Sequence, residues 1–103
     1  MKKIVLLCAA GSSTSMLVSK MRSEAENQNI ECEIDAYAFR EAESGERKIE
    51  ANVVLLGPQI RFKLAKAKEM FPDSHVEAID MRLYGTMNAK AVLEGIKDYL
   101  NEK

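Results

Sequence analysis

Cys8 is the residue whose type and position best fit covalent chemistry. It follows the apolar run at residues 4–7. The loop after it consists of small and hydroxyl-bearing residues: Ala10, Gly11, Ser12, Ser13, Thr14 and Ser15. Backbone N–H groups in such a loop, and at a helix start, stabilise a thiolate and hold phosphoryl oxygens. The stretch therefore predicts Cys8 as a nucleophile for a phosphoryl group and residues 10–15 as its phosphate-binding loop.

The loop lacks the side chain that would favour hydrolysis. A phosphatase with a similar loop has an arginine six residues after the cysteine, where its guanidinium clamps the phosphoryl oxygens. Here position 14 is threonine, and neither Arg nor Lys occurs between Cys8 and Lys20. This absence favours a carrier that holds a phosphoryl group and passes it on. Two alternatives remain open: a low-molecular-weight cysteine phosphatase or thiol reductase using the same loop, and a module that binds phosphorylated ligands with an inert Cys8.

The elements that must position Cys8 follow from the hydrophobic periodicity. Residues 3–8 and 52–56 are apolar and predict two buried strands. Residues 31–37 alternate between apolar and acidic side chains and predict a half-exposed edge strand, and residues 75–79 predict a fourth, short strand.

Helical stripes separate these strands. Leu17, Met21 and Ala25 recur at four-residue spacing and predict a helix to about residue 28, whose first carboxylate is Glu24. Helices are also predicted weakly within residues 39–50, then from Pro58 to residue 71, and finally from residue 89 onward. Residues 80–87 are predicted to form a loop.

Alternation of strand and helix predicts an α/β fold with a four-stranded parallel sheet and helices on both faces. With the two apolar strands in the centre, right-handed crossovers give the strand order 2-1-3-4, a flavodoxin-like arrangement. In that order a crevice opens above Cys8, between the first and third strands. Cys8 and Gly57 are predicted to flank this crevice.

Composition limits the classes of protein that need to be considered. The 103 residues fit one domain, 47% of them are hydrophobic and 30% charged, and the net charge is −1. Neither a nucleic-acid footprint nor a membrane-inserted segment is predicted. With one His and 2 Cys far apart, no metal site, cofactor or disulfide is expected. Cys32 is expected to be packed and unreactive, His75 to be a solvated residue at a strand start, and Asp80 to have a turn or capping role.

The sequence resembles a known family in two stretches that lie in register. The family is the enzyme IIB component of the lactose/cellobiose (chitobiose) class of the phosphoenolpyruvate-dependent sugar phosphotransferase system. The similar stretches are residues 8–21, which contain the loop and the first helix, and residues 53–60, which contain the third strand and its turn. Residues 79–85 also fit, and the resemblance covers essentially the whole chain as a single IIB domain, residues 1–103. One departure is Ser12, where close cellobiose-type relatives are expected to have methionine.

The resemblance implies a function, a set of partners and a location. A phosphohistidine of a IIA partner gives its phosphoryl group to Cys8. The phosphocysteine then passes it to a cellobiose-, chitobiose- or lactose-like sugar during uptake through the membrane protein IIC. The chain is then a cytoplasmic phosphotransferase without a cofactor, held at the inner face of the membrane through IIC. Cys8 corresponds to the family's phosphoryl carrier, and Ala10 to Ser15 correspond to its phosphate-binding loop. The resemblance also implies a second wall of the crevice at the turn of Gly57, Pro58 and Gln59, with Tyr84 a candidate for its rim.

Overall fold

The computed structural model describes residues 2–9, 12–45 and 48–100, with the side chains of Ser12 and Ser13 excepted. Four strands are present: β1 (Lys2–Cys8), β2 (Cys32–Ala38), β3 (Val53–Leu56) and β4 (His75–Ala78). The α-helices are α1 (Ser12–Asn27), α2 (Phe39–Ser44), α3 (Leu64–Met70), α4 (Met81–Gly85) and α5 (Ala89–Leu100), and a 3₁₀ helix (Pro58–Lys63) precedes α3.

The strands form one parallel sheet in the order β2-β1-β3-β4, which confirms the predicted topology. β1 pairs with β2 through a register that ends at Cys8 opposite Ala38. It pairs with β3 through a register that ends at Leu7 opposite Leu56. The chain leaves β1 toward β2 and leaves β3 toward β4, so the strand order reverses between β1 and β3. In open α/β sheets this is the position at which ligands bind.

Each face of the sheet is covered by helices because the central strands are apolar on both sides. Ile4 and Leu6 pack against α1 and α5, whereas Val5 and Leu7 pack with α2, the 3₁₀ helix and α3. All four side chains have no exposed surface. Full burial of such a side chain stabilises a fold by about 1.5–3 kcal/mol relative to exposure, so β1 anchors both layers and fixes the position of Cys8.

Two predicted segments differ from the structure. The prediction that residues 80–87 form a loop is wrong, because Asp80 caps the short helix α4 by accepting hydrogen bonds from the N–H groups of Arg82 (2.8 Å) and Leu83 (3.3 Å). The helix expected after Pro58 is divided into a 3₁₀ and an α segment. The N–H of Ile60 donates to the Gly57 carbonyl at 3.0 Å, which tightens this turn.

Candidate functional site

Cys8 ends β1 at the point where the strand order reverses. Its residue surface is only 4% exposed, and it is a free cysteine. Like Ile4 and Leu6, it lies at an even position of β1, on the face covered by α1. Within the part of the chain that the structure describes, the sulfur forms hydrogen bonds with Thr14 from α1 and with Tyr37 from β2. Cys8 is therefore a shielded thiol held between a helix and an adjacent strand.

Thr14 and Tyr37 differ in their hydrogen-bonding role toward the sulfur. The Thr14 Oγ1 hydroxyl donates to Cys8 Sγ at 3.1 Å, and Thr14 is fully buried. The Cys8 thiol donates to the Tyr37 carbonyl oxygen at 3.6 Å. Thr14 stands six residues after the cysteine, where a phosphatase loop has its arginine, so this position supplies a neutral hydroxyl to the sulfur itself. The phosphoryl-clamping guanidinium is absent from this position.

The predicted phosphate-binding loop is described only in part. Ala10 and Gly11 lie outside the described residues, and so do the side chains of Ser12 and Ser13. The backbone of Ser12 begins α1, a helix of 16 residues with no acidic residue in its first turn, and Ser15 is exposed on it. The N-terminus of α1 thus follows Cys8 closely in sequence and carries no carboxylate that would repel an anion.

The turn after β3 lies beside the end of β1. The N–H of Gly57 donates to the Leu7 carbonyl oxygen at 2.9 Å, so Gly57 continues the β1–β3 pairing up to the residue before Cys8. A Cβ at Gly57 would lie 3.2 Å from Oε1 of Gln59 and 3.7 Å from the Leu7 oxygen. Gly57 and Pro58 are buried, whereas Gln59 is exposed. Tyr84 is buried in the core cluster under α1 and α5, which gives it a packing position.

Three exposed apolar side chains lie on the elements that leave the carboxyl end of the sheet. Phe62 in the 3₁₀ helix is 76% exposed, and Met16 in α1 and Met81 in α4 are each 59% exposed. Phe62 and Met81 share the lining of an open cavity of about 430 Å³ with Pro58 and Gln59. We call Met16, Phe62 and Met81 the apolar rim. These three residues were not predicted as part of the site, although the position of Phe62 off the Ile60–Leu64 stripe indicates exposure.

The same end of the sheet carries positive charge outside the loop. Arg40 follows β2, Arg61 follows β3 and Arg82 follows β4, and all three are exposed. Each arginine lies within a few residues of the carboxyl end of its strand. A partner that presents an anionic group to this end therefore meets cations around the site.

The remaining candidate residues have local roles. Burial raises the pKa of the Cys32 thiol, which disfavours its reactive thiolate form. His75 forms a 2.8 Å contact with Glu77, and its ring stacks on Tyr99 with centroids 3.7 Å apart, at the start of β4. Among the described residues no cluster of three or more His, Cys, Asp or Glu side chains could hold a metal ion. None of the described helices has the length and apolar character needed to cross a membrane.

The chain resembles sugar phosphotransferase proteins in sequence. A family model described as "PTS system, Lactose/Cellobiose specific IIB subunit" matches residues 3–95. The chain is 41% identical over 97 residues to the oligo-beta-mannoside-specific EIIB component of Bacillus subtilis, with 91% of each chain covered. It is 36% identical over 106 residues to the cellobiose-specific EIIB component of Lactococcus lactis, with 97% of each covered.

Solved structures agree with these sequence matches. The cellobiose-specific IIB component of Borrelia burgdorferi has a TM-score of 0.70 and 39% identity, over 97% of this chain and 92% of that one. The lactose-specific IIB domain of Streptococcus pneumoniae has a TM-score of 0.77 at 15% identity, over 95% and 96% of the two chains, and supports the fold alone.

Proposed function

The chain belongs to the lactose/cellobiose-specific IIB family of the sugar phosphotransferase system, and from this premise we propose that Cys8 is its phosphoryl-carrying residue. IIB components are phosphotransferases that work with a IIA protein and the membrane transporter IIC. These matches do not favour the phosphatase or thiol reductase alternative.

The observation that carries the proposal is the position of Cys8 at the reversal of strand order. It ends β1 there, with α1 beginning at Ser12 and the Thr14 hydroxyl 3.1 Å from its sulfur. Cys32, the second cysteine, lies at the opposite, amino end of β2, where burial raises its pKa. Of the two thiols, Cys8 is the one that lies at the carboxyl end of its strand and next to the start of α1.

The proposed reaction has two transfers. In the first, the P–N bond of a phosphohistidine on IIA breaks as the S–P bond to Cys8 forms, and the thiol proton finishes on the imidazole. In the second, the S–P bond breaks as the O–P bond to a sugar hydroxyl forms, and the hydroxyl proton finishes on the sulfur or in solvent. Residues 10–15 are proposed to hold the phosphoryl oxygens in both steps, through backbone N–H groups and hydroxyls. The absence of a clamping arginine at position 14 supports transfer over hydrolysis.

The apolar rim is proposed to be the docking surface for the phosphorylated IIA donor. The donor must reach the end of β1. Pro58 and Gln59 line the cavity with Phe62 and Met81, and they follow Gly57, whose N–H donates to the Leu7 carbonyl oxygen next to Cys8. The exposed arginines at positions 40, 61 and 82 complement the negative charge of a phosphoryl group. Apolar contact and opposite charge therefore favour the same orientation of the donor.

The finer assignments extend this proposal. The IIB unit is proposed to span residues 1–103 as one domain, to be cytoplasmic and to meet the inner face of the membrane only through IIC. The relatives named above are specific for different sugars, oligo-β-mannoside and cellobiose. A β-linked disaccharide or related β-glucoside presented by IIC is therefore proposed as the acceptor class.

Cys8→Ser, with Cys32→Ser as the matched control, tests the proposal. Each variant is mixed with phosphoenolpyruvate and the upstream phosphotransferase components, and intact mass and peptide mapping are recorded. The wild type and Cys32→Ser are expected to gain one phosphoryl group on the Cys8 peptide, whereas Cys8→Ser gains none and stays folded. Phosphorylation of Cys8→Ser to the wild-type extent would overturn the assignment.

A further inference from the structure

We propose that Thr14 acts on the sulfur of Cys8 and not on the phosphoryl oxygens, and that its hydroxyl stabilises the negative charge that the sulfur carries as a nucleophile and as a leaving group. This rests on the proposed function of Cys8 and reassigns one member of the predicted phosphate-binding loop. The contact that carries it is the 3.1 Å hydrogen bond from Thr14 Oγ1 to Cys8 Sγ.

The burial of Thr14 distinguishes its role from that of a residue that binds an incoming phosphoryl group. Thr14 has no exposed surface, whereas Ser15, the next residue of α1, is exposed. Thr14 and Leu17 both lie on the buried side of α1, the side that packs on β1. The hydroxyl of Thr14 therefore reaches the sulfur from within the fold, while a donor protein must approach from outside it.

Thr14 and Tyr37 have opposite hydrogen-bonding roles toward the sulfur. The Thr14 hydroxyl donates, and hydrogen bonds to a charged acceptor are stronger than those to a neutral one. The Tyr37 carbonyl oxygen, at 3.6 Å, can only accept. The Thr14 contact is the shorter of the two, at 3.1 Å, and it strengthens as negative charge develops on the sulfur.

The hydrogen bond from Thr14 to Cys8 affects both phosphoryl transfers. When the thiolate attacks, its lone pair becomes the S–P bond, and the bonded sulfur, now neutral, is a weak acceptor. When the S–P bond breaks, the electron pair returns to the sulfur, and the Thr14 hydroxyl again meets a charged acceptor. Loss of the hydroxyl is therefore expected to lower the population of reactive thiolate and to slow departure of the phosphoryl group.

Thr14→Val tests the contact, because it removes the hydroxyl at nearly constant volume. Thr14→Ser retains the hydroxyl. Ser19→Ala is the control, because it removes an exposed hydroxyl further along α1. The first readout is alkylation of Cys8 by iodoacetamide at a fixed pH, followed by peptide mapping, which requires no phosphotransferase partner. Thr14→Val is expected to react roughly three- to tenfold more slowly, because part of the lost thiolate population is offset by higher intrinsic nucleophilicity. Thr14→Ser and Ser19→Ala are expected to react at close to the wild-type rate.

The second readout is phosphoryl transfer from phosphorylated IIA. Thr14→Val is expected to lower kcat by roughly three- to tenfold, because Cys8 is the nucleophile here as it is in alkylation, with the KM for the donor unchanged because Thr14 is buried. Urea unfolding of the same samples reports whether a variant has kept its fold. If Thr14→Val fails to fold, Thr14→Ala replaces it in both assays.

The outcomes separate this inference from the proposed function. Unchanged alkylation of Cys8 in folded Thr14→Val, or a failure of Thr14→Ser to restore the rate, would overturn the role of Thr14 whatever Cys8 does. An increase in KM at constant kcat would also overturn it, since that would place Thr14 in donor binding. Slowed alkylation together with an absence of phosphoryl acceptance by the wild type would support the Thr14–sulfur contact and reject the carrier function.

Discussion

Phe62→Ser measures what the apolar rim contributes to binding of the phosphorylated donor. Phe62 is 76% exposed, the largest exposed fraction among the large apolar side chains that the structure describes. Full burial of a phenylalanine side chain is worth about 1.5–3 kcal/mol, so covering the exposed three quarters is worth about 1–2 kcal/mol. Since 1.4 kcal/mol corresponds to a factor of ten, the KM for the donor is expected to rise by roughly five- to thirtyfold.

The free protein is expected to change little in the same variant. Phe62 buries little of its surface in the fold, and exposed substitutions of this kind usually change the free energy of unfolding by less than about 0.5 kcal/mol. Because Phe62 lies off the buried stripe of its helix, the Cys8 site should keep its geometry. Alkylation of Cys8 by iodoacetamide is therefore expected to proceed at the wild-type rate, so the defect should appear in donor binding alone.

The assay is steady-state phosphoryl transfer with the concentration of phosphorylated donor varied. Tyr99→Ser is the matched control, because Tyr99 is also exposed but stacks on His75 at the start of β4, at the opposite end of the sheet. An unchanged KM in Phe62→Ser would refute the docking assignment. An equal increase in Phe62→Ser and Tyr99→Ser would refute it too, since the effect would not depend on position.

Two further predictions concern the frame of the site. Asp80→Ala removes the acceptor for the N–H groups of Arg82 and Leu83. The free energy of unfolding, measured in urea, is expected to fall by about 1 kcal/mol, and a loss below about 0.3 kcal/mol would contradict the capping role. The hydrogen bond from Lys3 to Asp35 raises the pKa of Lys3, so its contribution to stability is complete below pH 10.5 and is lost as pH rises through the higher folded value. Lys3→Met is therefore expected to lose less stability than the wild type between pH 9 and pH 12 in denaturant titrations, and an identical decline would contradict this.

The hydrophobic pattern of short stretches of sequence was sufficient to predict most of the fold. The apolar strands β1 and β3 occupy the centre of the sheet, and the alternating strand β2 lies at its edge, as predicted from their burial pattern. This worked because a strand covered on both faces must be apolar throughout, which is visible in a few consecutive residues. Asn88, just before α5, is of a residue type that favours helix caps, and its side chain accepts a hydrogen bond from the N–H of Ala91 at 3.1 Å.

Local pattern was insufficient where the outcome depended on a few backbone angles. Residues 80–87 contain Tyr84 and Gly85 and have the composition of a loop, yet one cap at Asp80 makes residues 81–85 helical. The segment after Pro58 has a helical stripe throughout, but Ile60 has φ −120° and ψ 25°, outside the helical region. The stripe survives this interruption because Ile60 and Ala67 are still buried in the same cluster.

The sequence alone determined that a cysteine would stand at the carboxyl end of a central strand, followed by a hydroxyl-rich loop and a helix start free of acidic residues. Those features depend on residues that are neighbours along the chain. Only the tertiary structure decided which groups surround the sulfur, because the Tyr37 carbonyl comes from β2 and the Thr14 hydroxyl is directed by the packing of α1 on the sheet. It also decided that Phe62 and Met81 line one cavity, since they are separated in sequence by a helix and a strand.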